Sequence, residues 1–534
     1  MDANASEDLA EPLTRVNMDG VLSMDNYIDS ADKGFVRRAV LPLAIGNAAD
    51  AVEILSAGYI LSDFRQEDGS SLTSTQKELL TAAVFVGMLI GGLLAGSMAD
   101  RYGRRYCLLV SLGVNFTFGA LSAAAPSVGW LIAARVFAGV GVGGSIPVVF
   151  TLGAELFPTR IRGVMVSIIA SFWMVGSIFA ATAAWIILGD DFSGDRITLG
   201  GTWRHYALVA ALPAATSLLL TVLFVPESPR FLAKAGRFDE MTAVLRRITN
   251  APVYISCEAF EKPRSIVRTD VMMTRLYNSW RDSFRRLYVS VPTNISEGAV
   301  PSDTSVSMDE DRLDASHGNG RSMSFGSGVM RVVCPGNDSA LRRSTIVLIV
   351  VWFTLSYGTY GVATWNNQLF ADIGLSNPYL CSFIYALSSL PGNVCSIVLV
   401  ERVGRKRLLS VSMASAAAAA SLFALGTGAG AAIILTGASL FNAFSTCGWN
   451  ALGVVSTEAF PTAARASGMG LVSAAGRLGS IAAQFVNGSL ESSVLVLLMV
   501  TSGLTLLGGV ASLLLPRDTT GTSLEERPAG RAVL

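Results

Sequence analysis

Twelve long apolar runs constrain this chain more than any other feature. They lie at 39–61, 78–98, 106–124, 128–150, 163–188, 206–225, 342–365, 379–400, 408–425, 429–457, 468–487 and 493–515. A hydrocarbon core about 30 Å thick takes roughly 20 helical residues to cross, so each run can span a bilayer as a helix. Six runs precede a polar stretch at 226–341 and six follow it. The expectation is an all-α membrane protein with twelve transmembrane helices in two six-helix halves, 39–225 and 342–516. Soluble tails at 1–38 and 517–534 flank them. The tail before Lys33 reads as disordered. In the central loop, residues 230–249 read as an amphipathic helix and 294–331 as disordered chain.

Charge gives the sidedness. Arg101, Arg104 and Arg105 separate runs two and three, Arg160 and Arg162 runs four and five, and Arg402, Arg405, Lys406 and Arg407 runs eight and nine. The loops at 62–76 and 189–204 lean acidic. The positive-inside rule then puts both termini and the central loop in the cytoplasm. An even number of spans requires the same thing. The membrane is either the plasma membrane or that of an intracellular vesicle. Only 15% of the 534 residues are charged, against about a quarter in soluble proteins. Zero net charge argues against a nucleic-acid partner. The six cysteines show no metal spacing. With no nucleophile–base set and no ATP-binding motif, neither an enzyme nor a cofactor is expected.

The halves repeat each other. GSMADRYGRR at 96–105 recurs as SIVLVERVGRKR at 396–407, and GAELFPTRIRG at 153–163 recurs as STEAFPTAARASG at 456–468. Parallel six-helix repeats around a midplane site are a transporter plan.

Run one carries Asn47, Asp50 and Glu53 at spacings of three, on one helical face. An intramembrane carboxylate costs at least ~2.5 kcal/mol, so this face should line a translocation pathway. Two adjacent carboxylates at low dielectric cannot both ionise cheaply, and the pair is expected to hold one proton. Arg135 and Arg477 are the intramembrane cations available to them. The aromatics Trp173, Trp352, Tyr357, Tyr360 and Trp365 lie in spans that could face a cavity. Gly139, Gly141, Gly143 and Gly144 sit inside a span, so they read as close helix packing and not as a nucleotide loop.

The loop Gly96, Asp100, Arg101, Gly103, Arg104, Arg105 resembles the signature of the major facilitator superfamily. Gly103 can supply a positive φ for a tight turn, and Gly96 should allow a neighbouring helix close. The resemblance implies a cytoplasmic latch between the halves. Asp100 would pair with the arginines or with Arg160 and Arg162, joined by Glu155 and, in the second half, by Glu401, Arg402, Arg405 and Glu458. Pro226-Glu227-Ser228-Pro229-Arg230 is similar to a motif of sugar porters and organic-ion transporters. The seventh run, at 352–370, lacks the sugar-porter Gln-Gln-Leu-Ser-Gly pattern. It resembles the synaptic-vesicle-2-related transporters, as do Ala49-Asp50-Ala51-Val52-Glu53 and the stretch at 473–481. This resemblance makes Tyr357 and Tyr360 the preferred aromatic contacts, while Arg135 resembles a structural arginine of sugar porters and Arg477 aligns with the arginine that organic-anion relatives use for substrate. The expected function is secondary active transport of a small organic ion by alternating access, with proton coupling. The alternatives are a facilitative sugar carrier, or a receptor or binding partner that keeps the transporter fold.

Overall fold

Apolar length sets the helices, and glycine and proline set their ends. The computed structural model describes residues 24–64, 72–189, 202–250, 339–460 and 465–515. Residues 1–23, 65–71, 190–201, 251–338, 461–464 and 516–534 lie outside them. The expected disorder at 294–331 therefore falls outside the described residues. The first half comprises α1 (Met24–Asp29), α2 (Lys33–Asp63), α3 (Ser74–Tyr102), α4 (Arg104–Ser122), α5 (Val128–Leu156), α6 (Thr159–Leu188) and α7 (Trp203–Phe224). The short α8 (Pro229–Lys234) and α9 (Phe238–Thr249) follow. The second half comprises α10 (Ser339–Asp372), α11 (Pro378–Leu387), α12 (Ser389–Val403), α13 (Arg405–Gly426), α14 (Ala431–Ala459), α15 (Arg465–Ser489) and α16 (Val494–Ser512).

Eleven helical stretches are long and apolar enough to cross a membrane. The twelfth span is α4, whose 19 residues begin on Arg104 and Arg105. Helices α11 and α12 form one span, interrupted at Ser388. Pro391 explains the break, because it lacks an N–H and its ring crowds the carbonyl four residues earlier, that of Leu387. The sharp turns α3–α4 and α12–α13 fall on Gly103 (φ 107°) and Gly404 (φ 92°), a conformation glycine adopts without penalty. The repeat seen in the sequence is thus a repeat of backbone.

Two expectations are corrected. Residues 24–32 are folded and are not a disordered tail. Ile28 of α1 packs with Met241, Leu245 and Ile248 of α9. Asp29 Oδ1 accepts the backbone N–H of Thr159 at 2.6 Å, capping α6 from outside it. The helix expected at 230–249 is two helices, α8 and α9, separated at Gly236 (φ 70°).

Helix alternation puts the α3–α4, α5–α6 and α12–α13 turns on one face, here the basic side. The apolar core divides by side. At the opposite side one cluster spans both halves, with Tyr59, Leu80, Ala184 and Tyr206 packed with Val362, Trp365, Phe423 and Phe441. At the basic side each half keeps its own cluster. One holds Phe35, Cys107, Leu152 and Phe231, and the other holds Leu348, Met413, Leu452 and Phe460. The halves are joined at the opposite side and separate at the basic side.

Candidate functional site

The polar face of α2 meets three different partners. Asn47 donates from Nδ2 to the carbonyls of Ile169 (2.9 Å) and Ala170 (3.3 Å), tying α2 to α6. The Asp50 carboxylate accepts from Ser145 Oγ of α5 at 2.7 and 2.9 Å. Glu53 forms an ion pair with Arg135, Oε1 to Nη1, at 2.7 Å. Arg135 also donates to Ser56 Oγ and Ser122 Oγ, each at 2.7 Å. All of these side chains are buried. The spacing of three aligns Asp50 with Glu53, but the fold pairs Glu53 with Arg135 inside the first half. Asn115 of α4 lies beside them, buried, with its amide within reach of the Asp50 carboxylate.

Arg477 sits near the middle of α15. Its guanidinium lies 5.8 Å from the centroid of the Tyr360 ring. Among the described residues it makes no hydrogen bond or ion pair, and it is only half-buried. Its charge acts on Asp50 across the boundary between the halves.

Tyr360 of α10 is the hub of an aromatic cluster. Phe85 of α3 (5.4 Å), Trp173 of α6 (6.2 Å) and Trp449 of α14 (5.8 Å) all meet its ring in edge-to-face geometry. Trp352 meets Trp449 in the same way at 5.3 Å. The indole N–H groups of Trp352 and Trp449 are held by Ser456 Oγ (2.9 Å) and Thr359 Oγ1 (3.2 Å), which fixes both ring planes. This cluster contains residues of both halves and the unpaired guanidinium. The other two aromatics face elsewhere. Tyr357 is buried, with its hydroxyl unpartnered among the described residues. Trp365 is buried in the shared apolar cluster and donates to Gln484 Oε1 at 2.9 Å.

At the basic side, Arg104 lies 3.2 Å from Asp100 and 3.5 Å from Glu155. The equivalent pair in the second half is Arg405 with Glu458. Each pair stays within its own half. Arg101 stacks over its neighbour Tyr102. Arg162 bonds Phe157 O and Thr159 Oγ1 of its own loop, while Arg160 and Arg402 are exposed. The side chain of Glu401 lies outside the described set. Gly96 has no close neighbour in this conformation. It is exposed, and a side chain there would meet nothing, because the halves are apart on this side.

Glu227 carries a role that the sequence motif did not specify. Its Oε1 accepts the backbone N–H groups of Arg105 (3.0 Å) and Ser228 (2.9 Å). Its Oε2 occupies the space where a side chain at Gly103 would go. Burial raises its carboxyl above the ordinary glutamate range. Phe85, Ser145 and Trp449 were also missed. Aromatic and serine residues are ordinary in apolar helices, so nothing in the pattern marks these three.

Comparisons with known proteins point the same way. The sequence matches the family described as Sugar (and other) transporter over residues 50–296 and 303–529. It is 25% identical to mouse synaptic vesicle glycoprotein 2C, covering 90% of this chain and 78% of that one. It is 26% identical to human synaptic vesicle glycoprotein 2A, covering 83% and 71%. Among solved structures, the xylose transporter XylE from E. coli, in a partially occluded inward-open conformation, superposes with a TM-score of 0.65. That match covers 92% of this chain and 100% of XylE at 18% identity, which shows a shared fold.

Proposed function

Because the chain belongs to the sugar (and other) transporter family of the major facilitator superfamily, and is a multi-pass membrane transporter of that type, we propose that it carries a small organic anion by alternating access, with a proton bound at Asp50. One observation carries this reading: a half-buried arginine at mid-membrane depth that has no ion-pair partner among the described residues. A charge at that depth is costly unless compensated. A carboxylate compensates it best, because the guanidinium fork offers two parallel N–H donors. The Tyr360 cluster beside it suits a substrate with a planar apolar body.

The proton follows from charge balance. Glu53 is neutralised by Arg135 within the first half. Asp50 feels Arg477 from across the boundary. When a substrate carboxylate takes Arg477, Asp50 loses that compensation and takes up a proton. One anion and one proton then cross together without net charge. The basic loops make the basic side cytoplasmic in this reading, and the membrane is that of the cell surface or of an intracellular vesicle.

The test is uptake by purified protein in liposomes, with one aromatic carboxylate, one organic cation and one neutral sugar as solutes. Arg477→Lys keeps the charge but loses the fork, and should weaken carboxylate binding by about 1–3 kcal/mol. Arg477→Ala should abolish carboxylate uptake. Carboxylate uptake with unchanged KM in Arg477→Ala would refute the anion site. Sugar uptake untouched by either change would favour the facilitative sugar carrier.

A further inference from the structure

The side opposite the basic loops is held by charge as well as by apolar packing. Helix α3 begins there and α15 ends there, so the two run antiparallel along the boundary between the halves. Lys77, in the first turn of α3, forms an ion pair with Glu491, just beyond α15. One residue on, Glu78 Oε1 accepts from Ser489 Oγ at 3.3 Å. Gly488 leaves the room that the Glu78 stem fills. Of the ion pairs described above, those of Arg135, Arg104 and Arg405 each lie within one half, whereas Lys77–Glu491 crosses between halves. Its side chains are only 15% and 20% exposed, so solvent and salt screen it less than a surface pair.

The far end of α3 is in the opposite condition. A side chain at Gly96 would meet nothing, and each half has its own apolar cluster. The α3–α15 pair is therefore fastened at one end and free at the other. We propose that Lys77–Glu491 is an electrostatic lock that holds the carrier closed on this side and must break each time the halves rock. The inference rests on alternating access and not on the charge of the substrate. Among the described residues, the other charged groups facing the pair are Glu78 on α3 and Asp372 at the end of α10, which accepts from Gln368 at 2.7 Å. Both are acidic and neither replaces Glu491 as a covalently fixed neighbour of α15. Lys77 is the cation of this cluster among the described residues.

A charge swap tests the lock. Val362, buried in the shared cluster, becomes the reporter as Val362→Cys in a background whose native cysteines are replaced. Its rate of modification by a polar maleimide reads opening on this side. Lys77→Glu and Glu491→Lys should each raise that rate about three- to tenfold, as expected for a pair between exposed and buried. The double swap should return it to within about twofold of the parent. The milder Lys77→Met and Glu491→Gln give the same comparison if a reversal prevents folding. Rates unchanged in all single variants would overturn the lock. So would a double swap as fast as the singles, because packing alone would then explain the effect. Failure of the parent protein to take up the carboxylate, while the reporter rate still rises in the single variants and returns in the double swap, would count against the anion site and leave the lock standing.

Discussion

The buried Glu53–Arg135 pair and the nearby Asp50 should respond to mutation in opposite ways. Arg135 donates to Glu53, Ser56 and Ser122 at 2.7 Å each, and both charged residues are 1–2% exposed. Arg135→Met preserves much of the volume and removes the charge. Glu53 is then left buried without a counter-charge, which costs about 3–5 kcal/mol. Ser56 and Ser122 lose an incoming donor but keep their own bonds to the carbonyls of Glu53 and Gly119. The double variant Glu53→Gln, Arg135→Met removes both charges and should recover much of that loss, since a neutral replacement of a buried pair is often tolerated. Asp50→Asn differs, because Asn Oδ1 can still accept from Ser145. It should cost stability little and abolish accumulation driven by a proton gradient. Thermal unfolding of purified protein reads the first effect, and accumulation in liposomes with an imposed pH gradient reads the second. Arg135→Met melting like the parent would refute the structural role of the pair. Proton-driven accumulation surviving in Asp50→Asn would remove Asp50 from the coupling step.

Two further changes probe the basic-side turn. Glu227 is protonated more readily in the folded state than in the unfolded one. The stability it contributes is therefore full below the ordinary glutamate pKa and is lost as pH rises through the raised folded value. Glu227→Gln keeps an acceptor for the Arg105 and Ser228 N–H groups, so the Tm of the parent should fall relative to the variant on going from acid to neutral pH, and parallel curves would refute this. Gly103→Ala forces a Cβ onto a backbone at φ 107° and against Glu227 Oε2, so it should cost about 1–3 kcal/mol in chemical denaturation, and an unchanged midpoint would show that the turn relaxes freely.

Much of the fold could be read because lipid permits few answers. A run of about 20 apolar residues has one stable form in a bilayer, and a repeat of turn motifs fixes where halves begin and end. The apolar run at 106–124 already marks α4, although Arg104, Arg105 and Asn115 make this 19-residue helix more polar than the other spans. Helix α1 was missed because its order comes from Thr159 and α9, distant in sequence. The site was less legible for the same reason. Helical spacing put Asp50 and Glu53 on one face, but it could not say whether Arg135 or Arg477 would answer either of them. That choice depends on how α2 packs against α5 and on how the halves meet. Gly96 shows a different limit. A motif states which surfaces can approach each other, and a single conformation shows only one end of that movement.

The charges at mid-membrane depth explain why this arrangement suits a carrier. Glu53 and Arg135 compensate each other directly, whereas Asp50 and Arg477 form no ion pair among the described residues, which leaves Arg477 open to an anionic partner. The two couples also differ in placement. Glu53 and Arg135 lie in the same half, and rigid rocking leaves their distance unchanged. Asp50 and Arg477 lie in different halves, so in the proposed cycle rocking, substrate and proton would all act on the same interaction. In the proposed cycle the first couple would keep the half rigid and the second would be free to change partners. A carrier whose four charges all lay in one half would have nothing for its substrate to exchange with. One with all of them across the boundary would have to break both couples to move. The division seen here leaves one couple that stays closed and one that the transport cycle can open.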